Sequence, residues 1–360
     1  MAYYHSNYRG KRKKRSPIVR ILFWILLFVV LVAAGTSWFL YGIVFKTNVW
    51  TTEGQSVSVY IPTGANFDDV KSILYEKGLI IHRNNFEWWA GKKKYPELIK
   101  PGHFVIKNGL NNNELVDLLR SGKQVPVKVI FNNQRDIYQL AGRVATQIEA
   151  DSASIVAALT NPQIWEKFGL NRETVSCIFI PNTYEFYWNT DADGFINRMA
   201  DEYTKFWNES RKVKVAAMQM TIPEVVTLAS IVEKETNKND EKPMIAGVYV
   251  NRLNAGWLLQ ADPTLVYAIN DKNLRRVLNV HKEIDSPYNT YKNAGLPPGP
   301  ICIPSIASID AVLNHSDENY LFFCANDDLS GYHVFARTNA QHNRNARKYR
   351  QALDELKVYK

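Results

Sequence analysis

The sequence predicts an α+β protein carried on a single N-terminal transmembrane helix, and three observations carry that expectation. An uncharged apolar run of 25 residues extends from Ile21 to Phe45. A strand–turn–helix pattern at residues 57–80 returns at residues 104–123. From about residue 137 helical periodicity dominates, broken near the C-terminus by two short runs that read as paired strands.

The apolar run comes first in the chain. As a helix it rises about 37 Å, enough to cross a hydrocarbon core of about 30 Å with some tilt. Trp24, Trp38 and Tyr41 lie toward its ends, where interfacial aromatics sit. Of the formal net charge of +9, the first 45 residues carry +7, through Arg9, Lys11 to Arg15 and Arg20; Lys46 follows the run and the first acidic residue is Glu53. The positive-inside rule therefore expects residues 1–20 to be a basic cytoplasmic tail and residues 21–45 a single pass through the cell inner (cytoplasmic) membrane. The remainder would be extracytoplasmic. The tail accounts for most of the basic charge, so no nucleic-acid partner is expected. A cleaved signal peptide is the competing reading. "VAAG" at 32–35 is a weak cleavage site, no lipobox-like cysteine is present, and the run exceeds a usual signal-peptide core, so an uncleaved anchor is expected. Cys177, Cys302 and Cys324 allow one disulfide at most and include no Cys-x-x-Cys pair; small buried side chains are the expectation.

The rest of the chain is long enough for about two domains. In "VSVYIPTGANFDDVKSILYEKGLI" the alternation of Val57, Val59 and Ile61 predicts a strand, and Gly64 a turn. Asn66 then caps a helix carrying Val70, Ile73 and Leu74, which Gly78 ends. "FVIKNGLNNNELVDLLRSGK" aligns Ile106 with Ile61, Gly109 with Gly64, Glu114 with Asp69, Leu118 with Ile73 and Leu119 with Leu74. A weaker third version starts at "VKVIFNNQRDIYQLAGRV" (127–144). Units of this size cannot bury their apolar faces alone, so they are expected to pack together.

Beyond them, "DADGFINRMADEYTKFWNES" places Phe195, Met199, Tyr203 and Phe206 on one helical face, and Tyr349, Leu353 and Leu356 share a face near the C-terminus. "NYLFFCAND" and "GYHVFART" read as two strands joined by a turn. Between these elements lies "PEVVTLASIVEKETNK". Pro223 suits a first helical turn, with Thr221 as its cap. Val225, Leu228, Ala229 and Val232 then form a stripe that Glu233 and Glu235 both flank. The two glutamates lie about 160° apart around the axis, so they cannot share a cleft. Periodicity does not choose between them, and pairing with Lys234 or Lys238 is the ordinary fate of such residues. A carboxyl among apolar neighbours has its charged form disfavoured and can serve as a general acid near neutral pH.

Four stretches together resemble the membrane-anchored endolytic murein transglycosylases of the YceG/MltG type: "LASIVEKET" (228–236), "AGVYVNRLNAGWLLQADPTLVYAI" (246–269), "SPYNTYKNAGLPPGPICIP" (286–304) and "YHVFARTNAQHN" (332–343). "IPNTYEFYW" (180–188) resembles a segment upstream. The resemblance implies a LysM-like α+β subdomain over 46–125 and a C-terminal α/β catalytic domain over 126–360. Its catalytic acid is the glutamate followed by Ser or Thr, here Glu235 before Thr236. The implied reaction is non-hydrolytic cleavage of the MurNAc-GlcNAc β-1,4 bond inside nascent glycan strands, leaving 1,6-anhydro ends. One carboxyl acts first as acid and then as base, whereas an ordinary hydrolase needs two carboxylates, and the sequence offers no obvious partner motif.

For substrate binding, Gln260 and Asp262 can contact sugar hydroxyls or cap a helix beginning near Thr264. Tyr288, Asn289 and Tyr291 can form an aromatic and amide platform or a packed loop. "GLPPGPI" (295–301) is expected to wall the cleft. Asn182 stands where the family often has Asp, so that segment is assigned no catalytic role, and Cys302 near the cleft has no assigned role. His333 and His342 lack metal-ligand spacing, and neither cofactor nor metal is expected. Glycan strands and the membrane are the expected partners, with peptidoglycan synthases as candidates. The rival class is a non-catalytic, wall-binding scaffold that recruits such synthases.

Overall fold

A computed structural model describes residues 17–271, 274 and 276–355. The basic cluster at residues 9–15 and Leu356 lie outside the described residues. The chain divides into two units, residues 1–125 and 126–360.

The first unit begins with α1, Pro17–Phe45, four residues longer at its start than the uncharged run and apolar along its exposed surface. It runs directly into β-bridges from Thr47 to Asn111 and from Val49 to Ile80. Strand β1 (Val57–Ile61) leads to α2 (Phe67–Glu76) and α3 (Arg83–Lys92). Strand β2 (Gly102–Ile106) leads to α4 (Asn112–Ser121) and pairs antiparallel with β1, Val59 opposite Phe104. The two repeats match in detail. Gly64 and Gly109 both turn with φ near +80°, where a side chain would be strained. Asn66 with Asp69, and Asn111 with Glu114, both close capping boxes. Ile61, Ile106, Leu74 and Leu119 meet in one core with Val70, Phe86, Tyr95 and Phe104.

The second unit opens with β3 (Val127–Phe131), α5 (Ile137–Ala145), α6 (Ser152–Leu159) and the short α7 (Pro162–Glu166). Strand β4 (Asn182–Phe186) pairs antiparallel with β3, so the third strand–helix version joins a different sheet from the first two. Helices α8 (Ala192–Phe206), α9 (Glu209–Ala217), α10 (Ile222–Glu235), α11 (Lys242–Asn254), α12 (Asp262–Ile269) and α13 (Ile306–Leu313) follow. A hairpin of β5 (Phe322–Ala325) and β6 (His333–Ala336) precedes α14 (Asn339–Glu355). The expected α/β character of this unit is corrected to α+β. Each sheet among the described residues is a two-stranded antiparallel ribbon, because β5 and β6 join through a short turn and β4 returns against β3.

Helix α10 is the spine of the second unit. Thr221 and Glu224 form its capping box and Pro223 sits in its first turn. Every residue from Val225 to Val232 is buried, so the helix is enclosed on all sides rather than along one stripe. Helices α11, α12 and α13 and the end of α9 pack around it. Polar groups in its enclosed part are satisfied internally: the Ser230 hydroxyl donates to the Thr227 carbonyl (2.7 Å) and accepts from the Ile301 amide (2.9 Å). Beyond the enclosed part the helix emerges at both ends, and its last turn carries both glutamates.

Candidate active site

Two residues apart on that turn, Glu233 and Glu235 enter opposite surroundings. The Glu233 carboxylate is met by the Lys242 ammonium at 3.1 Å and by donors from Asn133 (3.0 Å), Ser305 (2.5 Å) and Ser308. Burial disfavours its charge, but the two serine hydroxyls and Lys242 outweigh that cost and hold its pKa below the ordinary value. Glu233 is thus a fixed anion that ties α10 to the starts of α11 and α13. The partner is Lys242 rather than the nearby Lys234 or Lys238.

Glu235 has no cationic partner at bonding distance among the described residues. Its Oε1 accepts the Tyr249 hydroxyl at 2.5 Å. Burial drives its pKa up to about 7; the Tyr249 bond pulls down, the Asp262 charge pushes up, and Arg252 pulls down weakly. Its place at the C-terminal end of α10 acts in the same direction as burial, since the helix dipole disfavours an anion there. Tyr249 is itself buried, with its hydroxyl pKa raised well above the ordinary value, so it remains a donor. With Oε1 accepting that bond, the proton of neutral Glu235 belongs on the other oxygen.

Glu235 and Asp262 stand where two cavities meet. One, of about 480 Å³, is lined by Arg135, Lys234, Val266, Tyr267 and Ile301. The other, of about 400 Å³, is lined by Tyr249, Arg252, Gln260, Tyr291, Phe322 and His342. A linear polymer crossing Glu235 therefore has room on both sides of it. The mixture of aromatic faces and polar groups suits sugar rings, which present both apolar faces and hydroxyls.

Of the residues expected to bind substrate, Gln260, Asp262 and Tyr291 line this site and Tyr288 and Asn289 do not. Asp262 is the first residue of α12, whose cap is Ala261, so neither Asp262 nor Gln260 caps that helix and the helix starts earlier than expected. The Tyr291 hydroxyl donates to Asp262 at 2.6 Å. Gln260 adopts φ 51°, and its backbone N–H donates to the Thr290 carbonyl, which leaves its side chain on the cavity wall. Asn289 is fully buried; its amide donates to the carbonyls of Lys282 and Ile284 and its oxygen accepts from the Tyr291 amide. Its side chain holds the loop that presents Tyr291, which is why it cannot also face a ligand. Tyr288 packs on Tyr267 one layer behind the cavity wall, ring centroids 4.8 Å apart.

"GLPPGPI" serves two places. Ile301 lines the cavity beside Glu235, whereas Gly295–Pro298 line a separate cavity of about 920 Å³ with Met218, Met220 and His315. Cys302 is buried with its thiol toward the Ser230 carbonyl, and burial lifts its pKa to about 12, so it is a packing residue. All three cysteines are free. Tyr249, Arg135 and Tyr267 escaped sequence reasoning, and His342 was weighed there only as a metal ligand. Tyr249 lies in the same stretch as Asp262, yet no spacing rule links it to a carboxylate on the preceding helix.

The YceG-like family model matches residues 59–348. Similar curated proteins are the endolytic murein transglycosylases of Bacillus subtilis strain 168 and Streptococcus pneumoniae serotype 2 strain D39. The first is 28% identical over 333 residues, covering 88% of this chain and 91% of the relative. The second is 28% identical over 352 residues, covering 89% of this chain but 63% of the longer pneumococcal protein. A solved YceG-like protein of Listeria monocytogenes superposes with a TM-score of 0.55 at 28% identity, over 81% of this chain and 98% of that one.

Proposed function

Because the chain belongs to the YceG-like family, we propose that it is an endolytic peptidoglycan lytic transglycosylase, with Glu235 as its catalytic residue and Gln260, Asp262 and Tyr291 as substrate-binding residues. The observation that carries this reading is a carboxyl with a pKa near 7 at the junction of two open cavities. Protonated Glu235 donates to the glycosidic oxygen as the bond from that oxygen to C1 of MurNAc breaks. The resulting carboxylate then takes the proton of the C6 hydroxyl as O6 bonds to C1. The carboxyl regains its proton, no water is consumed, and the product ends in a 1,6-anhydro ring.

The N-terminal unit is read as LysM-like and glycan-binding, and the second unit as the catalytic domain. Helix α1 is read as a single-pass anchor in the cytoplasmic membrane with the N-terminus inside. Such an anchor keeps the enzyme within reach of newly made strands, where cleavage ends their growth, and peptidoglycan synthases are the natural neighbours.

A hydrolytic reading has one observation in its favour: Asp262 supplies a second carboxylate beside Glu235, which no motif in the sequence announced. The mass of the product decides. Purified full-length chain incubated with uncrosslinked glycan strands should release internal fragments with anhydro ends. Fragments heavier by one water identify a muramidase, and intact strands that merely co-sediment with the protein identify a scaffold.

A further inference from the structure

Where α1 meets the first unit there is a cavity of about 340 Å³, lined by Trp38, Phe39, Gly42, Lys46, His82 and Asn85 among others. It shares no residue with the site around Glu235. Its walls are firmly built. The Asn112 amide donates to the Ile43 carbonyl at 2.7 Å and accepts from Asn48, which in turn donates to the His82 carbonyl and accepts the His82 amide. These bonds lock the last turn of α1 to the loop before α3 and to the start of α4.

Its depth follows from the helix. About 20 residues cross the hydrocarbon, so counting from Ile21 the apolar boundary falls near Leu40. Gly42 to Lys46 then lie at headgroup level, with Trp38 and Phe39 at the edge of the acyl region. A lysine beyond the end of a span ordinarily extends toward water. Lys46 is exposed, and its stem leans back along the helix: its Cδ, Cε and Nζ lie 3.7–4.0 Å from where a Gly42 Cβ would stand, as a side chain four residues on does. The missing side chain at Gly42 leaves that space open. Lys46 makes no ion pair among the described residues, and no Asp or Glu lines the cavity.

We propose that this cavity, framed by Lys46, His82 and Asn85 over Gly42, binds the phosphate of an anionic phospholipid headgroup. This rests on the reading of α1 as a membrane anchor. The ammonium, the imidazole and the Asn85 amide offer donors to phosphate oxygens, while Trp38 and Phe39 lie alongside the acyl chains. With no carboxylate present to receive an ammonium group, a zwitterionic lipid gains less. A phosphate bound there holds the first unit at a set height on the bilayer.

Native mass spectrometry of the full-length chain in detergent, with added phosphatidylglycerol or phosphatidylcholine, tests it. One phosphatidylglycerol should be retained at least about fivefold better than phosphatidylcholine, an arithmetic difference of about 1 kcal/mol. Lys46→Gln, and Gly42→Leu, which fills the space, should each bring the two lipids to parity, while Lys123→Gln keeps the preference. Excess inorganic phosphate should not displace the lipid, and displacement would overturn the lipid assignment. Equal retention by the unaltered chain, or a preference that survives Lys46→Gln, overturns the site alone. A chain that stays in the aqueous phase on Triton X-114 partitioning overturns the anchor and the site together.

Discussion

Glu235 and Glu233 differ by surroundings, and each environment makes a separate prediction. Glu235→Gln removes the proposed proton donor, so cleavage should fall about 10²–10⁴-fold with strand binding kept, as initial rates and co-sedimentation would measure. Glu233→Gln leaves the Lys242 charge buried and unpaired. Thermal unfolding should then report a loss of about 3 kcal/mol, while the folded fraction keeps most of its activity. Activity should decline as pH rises through about 7, where Glu235 loses its proton. The neighbours set the sign of shifts in that limb. Tyr249→Phe removes a bond to the ionised form and should move it to higher pH; Asp262→Asn removes a repelling charge and should move it lower. Stability follows the same proton. A carboxyl whose folded pKa is raised from 4.5 to about 7 contributes fully below pH 4.5, and that contribution is lost as pH rises through 7. Glu235→Gln should flatten this slope, by on the order of 1–3 kcal/mol between pH 5 and 8 in denaturant titrations. Choosing between the two glutamates was beyond periodicity because the groups that decide it, Tyr249, Lys242 and Ser305, come from α11 and the loop before α13.

At the level of elements, local signals wrote the starts of the capped helices α2 and α10 but not of α1 or α12, which begin earlier than their sequences suggest. Asn66 and Thr221 cap as read from the sequence, and Asn111 caps α4 in the matching way, because capping bonds span three residues and need no tertiary partner. Thr221→Ala should cost about 1 kcal/mol of stability in equilibrium unfolding. Loops behave otherwise. Gly299 in "GLPPGPI" lies against the second unit's own backbone: a Cβ there would stand 2.2 Å from the Glu173 carbonyl oxygen. Gly299→Ala should therefore push the segment carrying Ile301 off its seat and destabilise the protein by more than about 2 kcal/mol. Cleavage should fall as well, since Ile301 lines the cavity beside Glu235. That segment's division between two cavities, and the inward turn of Asn289, depend on contacts far apart in sequence that no local pattern records.

For the whole molecule, the proposed anchoring of α1 with its N-terminus inside predicts that the first unit can be labelled from outside the cell. In spheroplasts, a membrane-impermeant maleimide should modify Lys123→Cys, on the exposed end of the first unit, without prior lysis; labelling only after lysis would reverse the assigned orientation. The sequence alone determined the apolar span, the duplicated strand–helix unit, the helix carrying the carboxylates and the resemblance to a family of murein-cleaving enzymes. Each is written in short-range periodicity, in capping spacing or in extended motifs. Tertiary structure alone decided the surroundings that hold Glu233 ionised and disfavour the charge on Glu235, that Asp262 and Tyr291 stand beside Glu235 while Asn289 turns away, and that the Lys46 stem lies over Gly42. Burial, charge and cavity shape at a point are sums over residues brought together from distant parts of the chain, and one-dimensional spacing does not contain them.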